Sequence, residues 1–389
     1  MRTLIELYDE RPLENVLGAL MFRPETVVVL CPGAVLNGGT FKKVIRNYLS
    51  YRGVDTAVEL VYVDMYNASA IVSCLTEVTD RHEDCVLDIT GGTDNALFAA
   101  GVLCATRDVP AITYSRRLNR YFSINKAPFG NELPCELHFT AEDCFLMAGG
   151  SVREGRVDNS VLDKYMGFFK PFFDVYMRRR TDWTATVNYM QAVSGAVNGK
   201  ICLDVDAPLS VKSRRGTNTV KPAILEDFRR MGFLKDLRVE GGRVHFRFRD
   251  EQVRFWLRDI GSVLETYVYK LCLDSGAFDD VATSVIVDWE GEKTAASVSN
   301  ELDVVVTKGI VPIFISCKTC EIKTEALNEL AVLRDRFGAG IARAVIVSTS
   351  KCQTVNRHRA AELGITVFDL EDIRAGRMEK AIKQGLKGQ

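Results

Sequence analysis

Long apolar runs are missing from this chain. No stretch reaches the roughly 18 consecutive apolar residues that a membrane-crossing helix needs. The opening Met1-Arg2-Thr3-Leu4-Ile5-Glu6-Leu7 reads as a first strand, with neither the apolar segment nor the cleavage site of a secretory leader. An excess of either charge is missing too: 50 Lys and Arg stand against 51 Asp and Glu, a net charge of −1. The molecule as a whole has no field that draws in nucleic acid, so any such contact has to come from local clusters. Arg116-Arg117, Arg178-Arg179-Arg180, Arg214-Arg215 and Arg229-Arg230 are the candidates, and each also reads as a plain solvated face. A cysteine framework is absent. The 11 cysteines are scattered, mostly through apolar runs (Cys31, Cys104, Cys202, Cys272), as expected of reduced thiols in a cytoplasm. Cys317 and Cys320 form a CxxC, but no second pair or histidine partner completes a zinc site, which leaves a strand end and a turn.

What is present describes a globular protein. Hydrophobic residues make up 47% of the 389 and charged residues 26%, enough chain for two or three domains. Short β-runs at Thr3–Leu7, Thr26–Cys31, Thr56–Val63, Cys85–Ile89 and Ala111–Tyr114 alternate with helical stretches at Leu13–Met21, Thr40–Arg52, Asn67–Thr79 and Thr93–Thr106. That alternation predicts an α/β domain with a doubly wound parallel sheet over residues 1–150. Tyr121–Ile124 follows a polar turn and is expected to pair as an antiparallel edge.

The polar stretch Gly149–Arg156 marks a boundary, after which the pattern changes. Helical Trp183–Val197 and Lys221–Met231 flank Lys212–Gly216. Two alternating strands, Leu234–Val239 and Arg243–Phe248, then meet at a tight glycine turn. Two helices and a hairpin predict a winged-helix-like connector over 151–254, able to dock on DNA or to serve as a spacer or dimer contact. From about residue 255 the pattern is a helix (Gly261–Leu273), strands at Val281–Val287, Leu302–Val306 and Ile313–Lys318, then helix, strand, helix and strand, an αβββαβαβ order.

Two segments carry chemistry. Val86-Leu87-Asp88-Ile89-Thr90-Gly91-Gly92-Thr93-Asp94-Asn95-Ala96 is a strand, a glycine turn and a helix start. Glycines let backbone amides approach a ligand, and the helix N-terminus offers N–H groups to an anion. The turn lies at the C-terminal end of a parallel strand, where open α/β sheets bind ligands, and the loop Tyr8–Asn15 is expected beside it. Its spacing fits neither a P-loop nor GxGxxG, and no lysine follows, which disfavours nucleoside triphosphate hydrolysis.

Near the C-terminus, Asn300-Glu301-Leu302-Asp303-Val304-Val305-Val306 is followed by Pro312-Ile313-Phe314-Ile315-Ser316-Cys317-Lys318. Side chains alternate along a strand, so Glu301 and Asp303 share a face, as do Ser316 and Lys318. Carboxylates that hold a divalent cation beside a lysine that steadies developing charge suit phosphodiester hydrolysis. A structural ion pair between Asp303 and Lys318 is the plainer alternative.

The "LDITGGTDNAL" segment resembles the CARF (CRISPR-associated Rossmann fold) domain, and "NELDVVV…PIFISCK" resembles the PD-(D/E)XK nucleases that occur with it. The resemblance covers essentially the whole chain: a CARF sensor at 1–150, the connector, and a nuclease domain at 255–389. It implies a type III CRISPR ancillary nuclease for antiviral defence, active on DNA and/or RNA with Mn²⁺ or Mg²⁺. It also implies a homodimer that binds a cyclic oligoadenylate across its two-fold axis, cyclic tetra-adenylate rather than cyclic hexa-adenylate. A four-phosphate ring can itself sit on such an axis, meeting the same loop from each subunit. The ligand residues implied are Asp9, Glu10, Asn15, Thr90, Gly91, Gly92 and Thr93.

In the nuclease motif Asp303 matches the first acidic position and Lys318 the lysine, whereas Ser316 occupies the (D/E) position. A hydroxyl is a poor ligand for a hard cation. Glu265 on the preceding helix matches an acidic position of such enzymes, Glu301 is one pleat away, and Glu329 lies on the following helix. The expected metal ligands are Glu265, Asp303 and Glu301, with Lys318 positioning the attacking water. Glu265 and Glu329 also read as ordinary exposed helix positions. The rival reading is a ligand-responsive transcription regulator with a degenerate nuclease domain.

Overall fold

A computed structural model describes residues 1–153, 159–195, 201–213, 216–290 and 298–386. Arg214 and Arg215, and the Glu154–Arg156 end of the expected boundary stretch, lie outside the described residues. The chain divides into two compact units. One takes Met1–Val157, Val285–Phe314 and Asn328–Ala344; the other takes Asp158–Ser284, Ile315–Leu327 and Val345–Gln389.

The first unit is built on β1 (Thr3–Leu7), β2 (Thr26–Cys31), β3 (Ala57–Tyr62), β4 (Cys85–Asp88), β5 (Ala111–Ser115), β6 (Arg120–Asn125) and β7 (Glu132–Pro134). Between them run α1 (Leu17–Phe22), α2 (Gly33–Gly38), α3 (Thr40–Tyr51), α4 (Ala68–Arg81) and α5 (Asp94–Arg107). The sheet order is β3-β2-β1-β4-β5-β6-β7. β1 pairs in parallel with both β2 and β4, and β5 with β4, while β6 and β7 add on antiparallel. The order reverses around β1 and β4, so the loops after these two strands open at a topological switch point. Leu4, Val27, Val29 and Val86 point into one core layer, while Ile5, Leu7, Val28 and Leu87 point into the other. Leu13–Met21, expected to be one helix, is instead a tight 3₁₀ turn at Pro12–Asn15 followed by α1.

After α6 (Asp143–Met147) comes β8 (Ser151–Val152), which pairs antiparallel with β14 (Asp280–Asp288) through Val287↔Val152 and Asp288↔Ser151. Part of the expected boundary stretch is therefore a sheet strand. The second unit gathers α7 (Met166–Arg178), α8 (Arg180–Val193), β9 (Asp204–Pro208), β10 (Ser210–Ser213), β11 (Gly216–Thr219), α9 (Pro222–Arg230), β12 (Leu234–Glu240), β13 (Arg243–Phe248), α10 (Glu251–Arg258) and α11 (Ser262–Ser275). β12, β13 and β9 form a three-stranded sheet in that order. Its core is aromatic: Phe169, Phe172, Trp183, Phe228 and Phe233 are all essentially sealed from solvent. Each such ring adds about 1.5–3 kcal/mol of burial.

β15 (Ser299–Lys308), β16 (Val311–Lys318), α12 (Thr324–Phe337), β17 (Arg343–Ser348), α13 (Thr354–Glu362) and β18 (Ile365–Phe368) complete the αβββαβαβ order that begins at α11. Strand order in this sheet is β18-β17-β16-β15-β14-β8. Among the described residues, no helix is long and apolar enough to cross a membrane.

Candidate functional site

The glycine turn and the loop after β1 meet. A Cβ placed on Gly91 would fall 2.9 Å from Asp9 Cβ, 3.1 Å from Glu14 Cβ and 3.1 Å from the Leu7 carbonyl oxygen. Only a glycine allows the two loops to touch there. Gly92 adopts φ +105°, which side-chain-bearing residues avoid, and its Cβ position would meet Leu7 Cβ at 2.8 Å.

Each expected ligand residue has a defined place. Asp9 is half-buried, and Arg11 donates to it through Nε at 2.9 Å and through the backbone amide at 2.9 Å. Burial pushes the Asp9 carboxyl up, but Arg11 and the amides of Arg11 and Gly92 outweigh it and hold it below its usual range. Glu10 is exposed. Asn15 is buried, and its amide serves the loop itself: Nδ2 donates to the Asp9 carbonyl at 2.7 Å and to the Arg11 carbonyl at 3.0 Å, while Oδ1 accepts the Asp9 amide at 3.0 Å. Thr90 donates its amide to Asp88 Oδ1 at 2.8 Å and its hydroxyl to the same oxygen. The Thr90 hydroxyl in turn accepts the Tyr114 amide at 2.8 Å. Thr93 is exposed and caps α5 by accepting the Ala96 amide at 3.3 Å.

The site thus has a floor of buried loop-shaping groups (Asn15, Gly91) and a solvent-facing rim of Glu10, Arg11 and Thr93. Arg11 and buried Glu14 were not singled out from the sequence. A lone basic residue within an acidic loop was the signal available. Glu14 lies against Arg116 and 3.7 Å from Arg11 Nη2.

On the candidate nuclease strands the alternation holds. Glu301 is exposed and Asp303 half-buried on β15, while Leu302 and Val304 are buried; on β16, Ser316 and Lys318 are half-buried, and Ile315 and Cys317 are buried. Glu301 and Asp303 belong to the first unit, and Lys318 to the second. The Lys318 carbonyl accepts the Thr349 amide at 3.1 Å, and the Thr349 hydroxyl is paired with the Tyr176 hydroxyl at 2.5 Å, which anchors the end of β16.

Glu265, also in the second unit, is half-buried in the first turn of α11, where the helix dipole favours a carboxylate. A Cβ on Gly261 would lie 2.5 Å from Glu265 Oε1, so the carboxylate is folded back over the helix start. Asp259 holds that start by accepting the Gly261 amide at 3.0 Å and the Ser262 amide at 2.7 Å. Glu329 on α12 accepts from Asn300 Nδ2 at 3.0 Å. Asn300 alternates with Glu301, so this bond lies on the face of β15 opposite Glu301 and Asp303. Among the described residues, no three His, Cys, Asp or Glu side chains form a ready-made ligand group for a metal ion.

Several members of the basic clusters are paired internally. Arg229 and Arg230 both pair with Glu226, at 2.6 and 3.2 Å, and Arg179 pairs with Asp227 at 2.9 Å. Cys317 is buried and Cys320 is exposed.

A Rossmann-type sheet with a glycine turn at its switch point, joined in one chain to a second sheet that carries ionisable residues on β15 and β16, defines a two-sheet α/β protein. The sequence comparison makes the second part specific: residues 249–385 match the family described as Card1-like, endonuclease domain, so the chain carries such a domain. No curated protein sequence matches significantly. Among solved structures, protein VC1899 from Vibrio cholerae has a TM-score of 0.77 at 18% identity, covering 99% of this chain and 98% of that one. Can2 from Sulfobacillus thermosulfidooxidans, solved with cyclic tetra-adenylate, has a TM-score of 0.70 at 18% identity, covering 98% of each chain. These likenesses establish a shared fold along nearly the entire length.

Proposed function

We propose that this protein is a cyclic-oligoadenylate-activated, metal-dependent endonuclease of type III CRISPR antiviral defence, acting in the cytoplasm. Residues 1–150 form the sensor, 151–254 a winged-helix-like connector and 255–389 the nuclease domain. The observation that carries this reading is the location of Glu265, Asp303 and Lys318. All three lie inside the segment that matches a Card1-like endonuclease domain, and each is half-buried, with buried neighbours on both sides of Glu265 and Asp303.

The activator is cyclic tetra-adenylate, the ligand held by Can2, which shares this fold. It meets the Gly91–Gly92 turn, Thr90 and Thr93, and the Asp9–Asn15 loop. α5 starts at this turn and presents Leu97 and Phe98 to solvent, at 36% and 67% exposure. An apolar face of that kind suits a second copy of the chain, and a homodimer places two turns around one ring. Binding shifts the equilibrium towards a conformation in which the nuclease domains engage a DNA or RNA strand.

Glu265, Asp303 and Glu301 supply hard oxygen donors of the kind Mn²⁺ and Mg²⁺ prefer, and they would hold the ion. Such an ion acidifies a bound water and offsets charge on the phosphate. Lys318, fixed at its backbone by Thr349, orients the nucleophile and steadies the developing negative charge.

The test is incubation of the purified protein with supercoiled plasmid and labelled single-stranded RNA in Mn²⁺, with and without cyclic tetra-adenylate. Activator-dependent cutting supports the reading and names the substrate. Activator binding without cutting would make Ser316 the mark of a dead site, and a sequence-specific footprint on DNA would then favour the transcription regulator.

A further inference from the structure

Beneath the glycine turn lies an acid pair that plays no part in the chemistry above. Glu6 and Asp88 stand opposite each other on parallel strands β1 and β4. They are 0% and 1% exposed. Both Glu6 carboxyl oxygens, Asp88 Oδ2 and the hydroxyl of buried Tyr121 have no hydrogen-bond partner. α1 closes over the pair: a Cβ on Gly18 would fall 2.7 Å from Glu6 Oε1 and 2.8 Å from Asp88 Oδ2. Asp88 Oδ1, by contrast, is fully engaged. It accepts both the amide and the hydroxyl of Thr90, the residue that opens the glycine turn, and Thr90 then accepts the Tyr114 amide.

Two buried carboxyls this close do not both ionise. Burial, and then the Asp88 charge, drives Glu6 well above the carboxylate range. Burial also raises Asp88, but the two Thr90 donors oppose it and leave it at about 6. One proton therefore stays on Glu6, and the charge sits on Asp88, where Thr90 uses it.

We propose that Asp88 is a positioning residue for the activator turn, kept ionised because Glu6 retains the proton of the pair. The inference rests on the cyclic-oligoadenylate reading above. Tyr121 from β6 faces the pair, with Tyr114 from β5 and Cys135 next to Tyr121, each kept neutral by burial, whereas Gly18 from α1 and Leu4 from β1 bring no charge. Asp88 is thus the group that changes charge near neutrality. As pH falls through about 6 it protonates, its hold on Thr90 slackens and activator binding weakens, by up to about tenfold per pH unit. Glu6 acts on the other side. Its folded value is raised, so its stabilising contribution is complete at low pH and is lost as pH rises through that folded value.

The experiment uses the full-length protein with cyclic tetra-adenylate as probe, comparing wild type, Glu6→Gln and Asp88→Asn. Affinity is measured from pH 5 to 8.5, and thermal unfolding is followed without the probe. Glu6→Gln mimics the protonated carboxyl, so it should keep the acid limb of binding and lose the alkaline fall in melting temperature. Asp88→Asn should bind several-fold more weakly at pH 7.5, with the acid limb gone. Thr90→Val, which deletes one of the two donors, should share the weakening and substitutes if Asp88→Asn fails to fold. An acid limb that persists in Asp88→Asn belongs to another group and overturns the inference, as does an alkaline melting profile unchanged by Glu6→Gln. If wild type binds no probe at any pH, the activator reading falls and the positioning role falls with it. If wild type binds with a flat pH profile, only the inference drawn here falls.

Discussion

Arg116 Nη1 donates to the carbonyl oxygen of Gly340 across 3.1 Å. The same guanidinium lies against buried Glu14, so one side chain reaches from the loop after β1 to the turn that follows α12. Gly340, at φ +71°, is held close: a Cβ there would meet Arg11 Cδ at 3.2 Å and Arg116 Nη1 at 3.3 Å. Arg11 in turn grips Asp9, on the proposed activator loop. These contacts link the proposed activator loop to the turn that follows α12.

Arg116→Lys isolates that link. It keeps a positive charge beside Glu14 but loses the planar fork that serves two partners at once. Activator affinity should stay within about twofold, while activated cutting falls by about tenfold, a coupling loss of ordinary size. Parallel binding and cleavage titrations check it; equal losses in both would mean that Arg116 merely supports the loop.

Gly91→Ala should damage the proposed activator site first. The added methyl meets two Cβ atoms and a backbone carbonyl, none of which is the far end of a flexible side chain. We expect about 1–3 kcal/mol of destabilisation and at least tenfold weaker activator binding. Gly101→Ala on α5 is the contrast. Nothing lies within 4 Å of its Cβ position, and replacing a mid-helix glycine should stabilise by up to about 1 kcal/mol. Chemical denaturation of both variants reads the difference directly.

Asp303→Asn and Lys318→Ala should abolish cutting and leave activator binding intact. Gly261→Ala should do so partially, because its methyl displaces the Glu265 carboxylate without touching the charge of any group. A loss of about 10- to 100-fold in rate matches a reacting group moved by an ångström. Wild-type cutting by Gly261→Ala would remove Glu265 from the catalytic set.

Much of this was legible in the residues because local patterns carry it. The period-two run Glu301–Val305 fixes which side chains share a face, and Thr90–Thr93 announces a turn between strand and helix. The middle of the chain was less readable. α7 carries Phe169, Phe172, Phe173 and Tyr176 at helical spacing, but Pro171 in its middle mimics a break. Its register comes from tertiary packing, such as Phe173 stacked on Tyr267 at 3.9 Å. The short strands β9–β11 interrupt the expected helix–helix step for the same reason: their pairing partners are distant or follow a tight turn. Glu6 and Asp88 lie within strands whose apolar neighbours draw the eye, and only the parallel register of β1 and β4 shows that they face each other.

The Asp9–Arg11 pair should give the N-terminal unit an acid limit of its own. The folded Asp9 carboxyl is held below its usual value, so its contribution is present above the unfolded value and disappears as pH falls through the folded one. Asp9→Asn should therefore destabilise the protein by about 1–3 kcal/mol near pH 7, where a charged acceptor of several hydrogen bonds is lost. Below the folded value the two proteins should converge, since wild-type Asp9 is then neutral as well. Unfolding curves of both from pH 7 down to pH 3 should narrow steadily. A constant gap would mean that Asp9 shapes the loop through packing, with its charge contributing nothing.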